Sequence, residues 1–338
     1  MSAARLIAVV VAACAALSGC GLGQDGDAAA AARPTSRANP LAGQTLYVDP
    51  QGAAVKQVAA WKRESRQIDA ARLQRLAGQP VATWFAGQQR DPFQAARELT
   101  EPAARKGQVP VLALYDIPDR DCGLYSKGGA KDVDAYLKWV GSLAAGLEGR
   151  RAVIVLEPDA IAQAIDGCAG RDVAQQRYRM LAQAVQILKR QEGTTVYLDA
   201  GNATWVEDLD AMANALRASG IERADGFALN VSNFQTTDAS TEYGHRLSDR
   251  LDGAHFVIDT GRNGAGVPKA AATAKGRHPS WCNPPGARLG QAPTTSTGRD
   301  RVDALLWIKQ PGNSDGDCRP GAPVAGQWWP HYALELVG

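Results

Sequence analysis

The chain has 338 residues, 21% of them charged, with a formal net charge of +2. A balance this even gives no sign of a surface built to bind nucleic acid, and each Lys/Arg cluster reads as a solvated face. No internal repeat marks a solenoid or propeller.

At the amino terminus Arg5 precedes an unbroken apolar stretch, residues 6–17, which closes on Leu17-Ser18-Gly19-Cys20. A stretch of about a dozen residues is shorter than the ~20 a spanning helix needs, so residues 1–19 are predicted to be a removable export signal. Leu-Ser-Gly-Cys resembles the bacterial lipobox, in which the cysteine is lipidated. Cys20 is therefore expected to carry a lipid that holds an exported protein on the outer face of the cell membrane; plain secretion is the alternative. Residues 20–43, rich in Ala, Gly, Asp, Pro and Arg, read as a flexible tether, and residues 44–338 as one domain. That length is normal for a barrel.

Seven short apolar runs predict strands at residues 82–86, 109–115, 152–156, 195–198, 226–231, 255–258 and 305–308. Between them, Val133, Tyr136, Leu137, Val140, Ala144 and Leu147 fall on one helical face. A second helix is predicted over 171–191, with Tyr178, Leu181, Val185 and Leu188 in line. Strands alternating with helices imply an α/β fold with a parallel sheet covered on both faces. Because polar residues follow every strand, a closed, TIM-like barrel of about seven parallel strands is expected over an open sheet.

The polar residues after the runs are Asp116, Glu157 with Asp159, Asp199, Asn230 with Ser232, Asp259 with Arg262, and Lys309 with Asp315. In parallel barrels catalytic groups gather at the carboxyl ends of strands. Any one of these carboxylates could be a helix N-cap, but five at equivalent positions point to one acidic mouth. Crowded like charges raise at least one pKa, which keeps a carboxylic acid protonated near neutral pH. Two carboxyl groups, one donating a proton to a leaving oxygen and one assisting water, are the usual machinery for glycosidic bonds. No Gly-x-Ser-x-Gly stands at a predicted strand–helix turn, no Gly-x-Gly-x-x-Gly follows a predicted strand, and there is no Walker loop, which argues against serine hydrolysis and nucleotide cofactors.

Setting aside Cys14 and Cys20, four cysteines remain: Cys122, Cys168, Cys282 and Cys318. An even number in an exported chain predicts disulfides, with three pairings open. No histidine lies near them at zinc-ligand spacing, and the Asp-x-Asp fragments at 119–121 and 315–317 lack the rest of a calcium loop. Neither a metal nor another cofactor is expected.

Two segments carry a family resemblance. Val111-Leu-Ala-Leu-Tyr115-Asp-Ile-Pro118-Asp-Arg120-Asp121-Cys122-Gly123 with Gly128-Gly129, and Val153-Ile-Val-Leu-Glu157-Pro158-Asp159-Ala160, resemble the two signatures of glycoside hydrolase family 6, the inverting cellulases. The likeness runs on through Trp84, Asp199-Ala-Gly201 with Trp205, Asn230-Val-Ser232-Asn233, Asp259 with Arg262-Asn263-Gly264, Trp281-Cys282-Asn283-Pro284 and Trp307-Ile-Lys309 with Asp315-Gly316. The resemblance implies a distorted seven-stranded barrel that acts on β-1,4-glucan. Because the domain is compact, without the long loops that roof a tunnel in members working from chain ends, an open cleft and internal cleavage by a monomer are expected. The resemblance makes Asp159 the general acid and places Asp121 beside it to tune its pKa or relay a proton. Asp199 would help keep the acid protonated, and Asp315 would be the candidate base. Tyr115 would crowd the sugar at the cleavage point and Ser126 would hold the attacking water. Trp84, Trp205 and Trp281 would stack on glucose rings, with Asn230, Lys309 and Asn313 also in the substrate-binding set. It also implies the pairings Cys122 with Cys168 and Cys282 with Cys318.

Two positions depart from the family pattern. Asn313 stands where Gly-Glu-x-Asp-Gly would put glutamate, and Asn202 where a histidine often follows Asp-Ala-Gly. Loss of a charge beside Lys309 makes weakened activity an expectation. The alternatives are release of product from chain ends, another β-glucan as substrate, or a lipid-anchored glucan sensor with lost turnover.

Overall fold

The computed structural model describes residues 38–88, 91–168, 170–267 and 280–338. The export signal, Cys20 and most of the expected tether lie outside the described residues.

Alternation within the strands builds two cores at once, because successive side chains of a strand point to opposite faces. The seven strands are β1 (Thr83–Phe85), β2 (Val111–Leu114), β3 (Ala152–Leu156), β4 (Thr194–Asp199), β5 (Gly226–Leu229), β6 (His255–Asp259) and β7 (Val302–Leu306), all parallel and adjacent in chain order. Val111, Ala113, Val153, Val155, Tyr197, Ala228, Val257, Ala304 and Leu306 form one cluster, the barrel interior. Their neighbours Leu112, Leu114, Ile154, Leu156, Val196, Leu198, Phe227 and Ile258 belong to a second, larger cluster with the surrounding helices.

The helices of the described residues are α1 (Ala53–Arg63), α2 (Gln67–Ala77), α3 (Pro92–Arg105), α4 (Val133–Leu147), α5 (Ala160–Ile165), α6 (Arg171–Leu188), α7 (Leu209–Ala218), α8 (Thr237–Asp249) and α9 (Pro330–Val337). Four begin on side-chain caps that satisfy otherwise orphaned amides: Asp91 accepts from Gln94 N, Asp132 from Ala135 N, Asp208 from Ala211 N and Thr236 from Ala239 N. Among the described residues no helix is long and apolar enough to cross a membrane.

Three expectations need correction. The ring is not closed by a β7–β1 ladder among the described residues; the two edges meet through a backbone bond from Ala82 N to Trp307 O at 2.9 Å and the Trp84 indole on Ile308 O at 2.7 Å. A three-residue β1 is too short to carry more. Second, β7 starts at Val302, three residues before the apolar run at 305–308. The cause is Asp303, which reads as a strand breaker but is fully buried, accepting from the Tyr197 hydroxyl at 2.7 Å and facing His255 Nδ1 at 2.6 Å. Third, the folded domain begins before residue 44: Leu41 is buried in the barrel interior, and Asn39 Nδ2 donates to Asp303 O at 2.9 Å.

Candidate active site

Asp159 occupies the N-cap position of α5, yet its side chain makes no capping bond. The four true caps above show what an Asp or Thr does when capping is its role, so the capping explanation fails here. Its backbone is left-handed, with φ 70°, and its N–H donates to Asp199 Oδ2 at 2.9 Å. A non-glycine residue held in this region is strained, and such strain gathers at functional sites. The carboxyl is half-buried. Burial first, then the negative charges of Asp121 and Asp315, push its pKa to about 7 against the opposing pull of Lys309. This is a carboxylic acid still protonated in weakly acidic water.

Two residues upstream, Glu157 closes β3 with a buried carboxylate that accepts from Asp116 N at 3.0 Å and Ile117 N at 3.1 Å. Burial raises its pKa to about 8 although those amides oppose the shift. It braces the turn after β2, from which Tyr115 and the Asp121 loop depart. Gly129 lets that loop return: a Cβ there would stand 1.9 Å from Ile117 O, at φ +98°.

Asp121 Oδ2 accepts from Ser126 N at 2.6 Å and Oδ1 from Gln163 Nε2 at 3.3 Å. Burial raises its pKa, against the Ser126 amide, Gln163, Arg120 and Lys309. Arg120 donates to Tyr115 O at 2.6 Å and Ser126 O at 2.8 Å, and its guanidinium lies 4.7 Å from the Tyr115 ring centroid. Tyr115 is buried edge-on to Trp84, with ring centroids 5.3 Å apart. Its phenol is held neutral, first by burial and then by Asp159 and Asp121. Ser126 is half-buried beside Asp121.

Asp199 is buried; one oxygen takes the amides of Asp159 and Gly201, while the other has no hydrogen-bond partner. Burial and the charge of Asp159 push its pKa well up. Asp315 behaves oppositely. Burial would raise its pKa, but Arg262 at 2.7 Å, Lys309 at 3.2 Å and the Asn283 amide at 2.9 Å together hold it below the usual carboxylate value. It is thus fixed as an anion between two cations, a poor acceptor for a proton from water. Asp259, also buried, takes four backbone amides, from Gly261, Ser232, Ile308 and Lys309, and ties the ends of β5, β6 and β7 together.

The expected sugar platforms Trp84, Trp205 and Trp281 are each partly exposed. Trp205 donates its indole N–H to Asp166, and Trp281 packs edge-on to Tyr125 at 5.9 Å. Lys309 Nζ lies 5.8 Å from the Trp84 ring centroid. Asn230 does not join them: it is fully buried, its amide bonding to Asp259 O at 2.8 Å and to both backbone groups of Gln235. Those bonds leave it bracing the loop after β5, with no surface for a sugar. Asn313 Nδ2 donates to Gln310 Oε1 at 2.7 Å and its Oδ1 has no hydrogen-bond partner.

Disulfides join Cys122 to Cys168 and Cys282 to Cys318, with Cα atoms 5.9 and 6.4 Å apart. The first pins the residue after Asp121, and the second anchors the loop that carries Asp315. Among the described residues no group of three His, Cys, Asp or Glu side chains could hold a metal ion.

A family model described as glycosyl hydrolases family 6 matches residues 41–338. The chain belongs to this family. It is 41% identical to Endoglucanase A of Cellulomonas fimi over 86% of its own length, although it spans only 60% of that relative. Endoglucanase 1 of Streptomyces halstedii is 37% identical, with 91% of this chain and 93% of that protein covered. Among solved structures, the endoglucanase Cel6 from Mycobacterium tuberculosis, in complex with methyl-cellobiosyl-4-deoxy-4-thio-β-D-cellobioside, superposes with a TM-score of 0.80 at 42% identity, covering 88% of this chain and 98% of that one.

Within this family 6 domain, three groups that shape the site carried no assigned role in the sequence reading: Glu157, Gln163 and Arg262. Glu157 and Arg262 were visible as polar residues after strands, whereas Gln163 lies inside an apolar helical turn and gives no sequence signal.

Proposed function

We propose that the domain hydrolyses internal β-1,4-glucosidic bonds of a glucan with inversion, Asp159 donating a proton to the departing glucose oxygen. The observation that carries this reading is Asp159 itself: a strained, uncapping carboxyl with its pKa pushed to about 7, beside Asp121. Asp121 relays the proton from the attacking water, since the ion-paired Asp315 is the weaker base of the two. Asp315 and Lys309 instead bind and polarise the sugar on the Trp84 side. The endoglucanase names of the relatives matched at 37–41% identity support cleavage within chains.

The acid must be protonated to act, so activity is expected to be present below Asp159's pKa and lost as pH rises through about 7. The alkaline limb of kcat/KM against pH checks this, and a limb above 9 would contradict it.

Release from chain ends is the second reading, and one contact favours it. Tyr125, on the Asp121 loop, touches both Trp281 and Gly316, so the two disulfide-anchored loops meet. Relatives with exoglucanase names also match. The viscosity of carboxymethylcellulose, followed beside reducing-sugar release, separates the two. A fall in viscosity well ahead of sugar release is expected; sugar release with viscosity unchanged would mean attack from the ends.

A further inference from the structure

Arg177 sits on the buried face of α6 with Ala174, Tyr178 and Leu181, a place where helical spacing calls for an apolar residue. It is 2% exposed, and among the described residues it makes no ion pair. Burial lowers its pKa and outweighs Glu157 and Asp119, which favour its charge through space, so its retention calls for a local reason. Its guanidinium adds a further tie between two loops that Glu157 already joins through the Asp116 and Ile117 amides and Gln163 through Asp121. Nη1 donates to Ala160 O at 3.2 Å, one residue past Asp159, and Nη2 to Pro118 O at 3.4 Å and Asp119 O at 3.3 Å, just before Asp121. Both loops hold residues in left-handed backbone: Asp119 and Asp121 in one, Glu157 and Asp159 in the other. Strained turns need outside support to persist. The Cys122–Cys168 disulfide fixes the chain immediately after Asp121; Arg177 fixes it two and three residues before.

We propose that Arg177 is a positioning residue for hydrolysis: its planar fork holds the Asp159 turn and the Asp121 loop at one separation, and so keeps the acid and its neighbouring carboxylate in register. The proposal rests on the glucanase reading above. A fork of fixed geometry suits this task as a lysine's single rotating ammonium does not. The residue touches no sugar, so its loss acts through the placement of Asp121.

The test is Arg177→Met in the purified chain, beside the parent. kcat on carboxymethylcellulose is expected to fall roughly 10- to 100-fold, with KM within about twofold because no substrate contact is removed. Asp121's charge is one cause of Asp159's raised pKa. The alkaline limb is therefore expected to move to lower pH as Asp121 drifts away. A role confined to stability would lower the melting temperature and leave that limb in place, and this outcome would overturn the proposal. Should Arg177→Met not fold, Arg177→Lys keeps the charge without the fork, and the same shift of the limb is expected; an unmoved limb overturns the proposal there too. A carboxyl-carbon NMR titration of Asp159 reads the shift without turnover. An inactive parent would therefore defeat the glucanase reading while this inference stood or fell on whether the variant's Asp159 titrates lower than the parent's.

Discussion

Replacing Asp159 with alanine is expected to lower kcat on a polymeric glucan by about two to four orders of magnitude, the usual worth of general acid catalysis. KM should change little, because the carboxyl acts on the leaving oxygen as the bond breaks and not on sugar binding. The physical reason is the leaving group. A glucose alkoxide is a strong base and cannot depart unprotonated near neutral pH, whereas fluoride can. The same variant should therefore lose far less activity on β-cellobiosyl fluoride than on the polymer. Equal losses on both substrates would instead assign Asp159 a structural role, an outcome not expected because its side chain makes no cap for the helix to lose.

Arg262→Met is expected to have the largest effect on stability. The Arg262 and Asp315 side chains are 1% and 6% exposed and 2.7 Å apart, so removing the cation leaves a buried carboxylate short of one partner. Breaking a buried pair from one side costs about 3–5 kcal/mol. The lower end applies, because Lys309 at 3.2 Å and the Asn283 amide at 2.9 Å still face Asp315. Ser232 O also loses its donor at 2.6 Å. With one attracting charge gone, Asp315's pKa should rise, and its burial then works unopposed by Arg262. Urea denaturation of the variant against the parent measures the loss, and a change under 1 kcal/mol would show that this ion pair is not the clasp of the loop after β7.

Much of this architecture could be read from residue order, and the failures have physical causes. Strands such as β3 were found at their true bounds because five consecutive apolar residues are buried on both faces. Helix α4 was equally plain, since its buried stripe follows directly on the Asp132 cap. By contrast, Asp303 shortened β7 on paper because burial of a carboxylate depends on Tyr197 and His255, residues 106 and 48 positions away. Helices α1 and α2 precede the first strand, outside the strand–helix alternation, and went unread; α1 buries only Val58 and Trp61.

The candidate site divides the same way. Asp159, Asp199 and Asp315 stand out because strand ends and matched motifs mark them independently, whereas Asp121 is marked by the motif alone. Arg177 and Gln163 do not, since each reaches its partner only when separate loops approach: Gln163 meets Asp121 across 42 residues and Arg177 meets Asp119 across 58. Asn230 shows the reverse case. Its position after β5 matches the family pattern, yet its backbone is left-handed at φ 65° and its amide fixes a loop. Conformation, invisible in a motif, decides that role.

The measurement that bears most directly on the account is the anomeric form of the first product, followed by proton NMR while the purified chain degrades soluble cello-oligosaccharides, with Asp159→Ala alongside. The α-anomer appearing first in the parent, and no anomer accumulating at comparable rate in the variant, is the predicted result. The β-anomer appearing first, or equal rates from both proteins, would contradict an inverting mechanism that runs through Asp159.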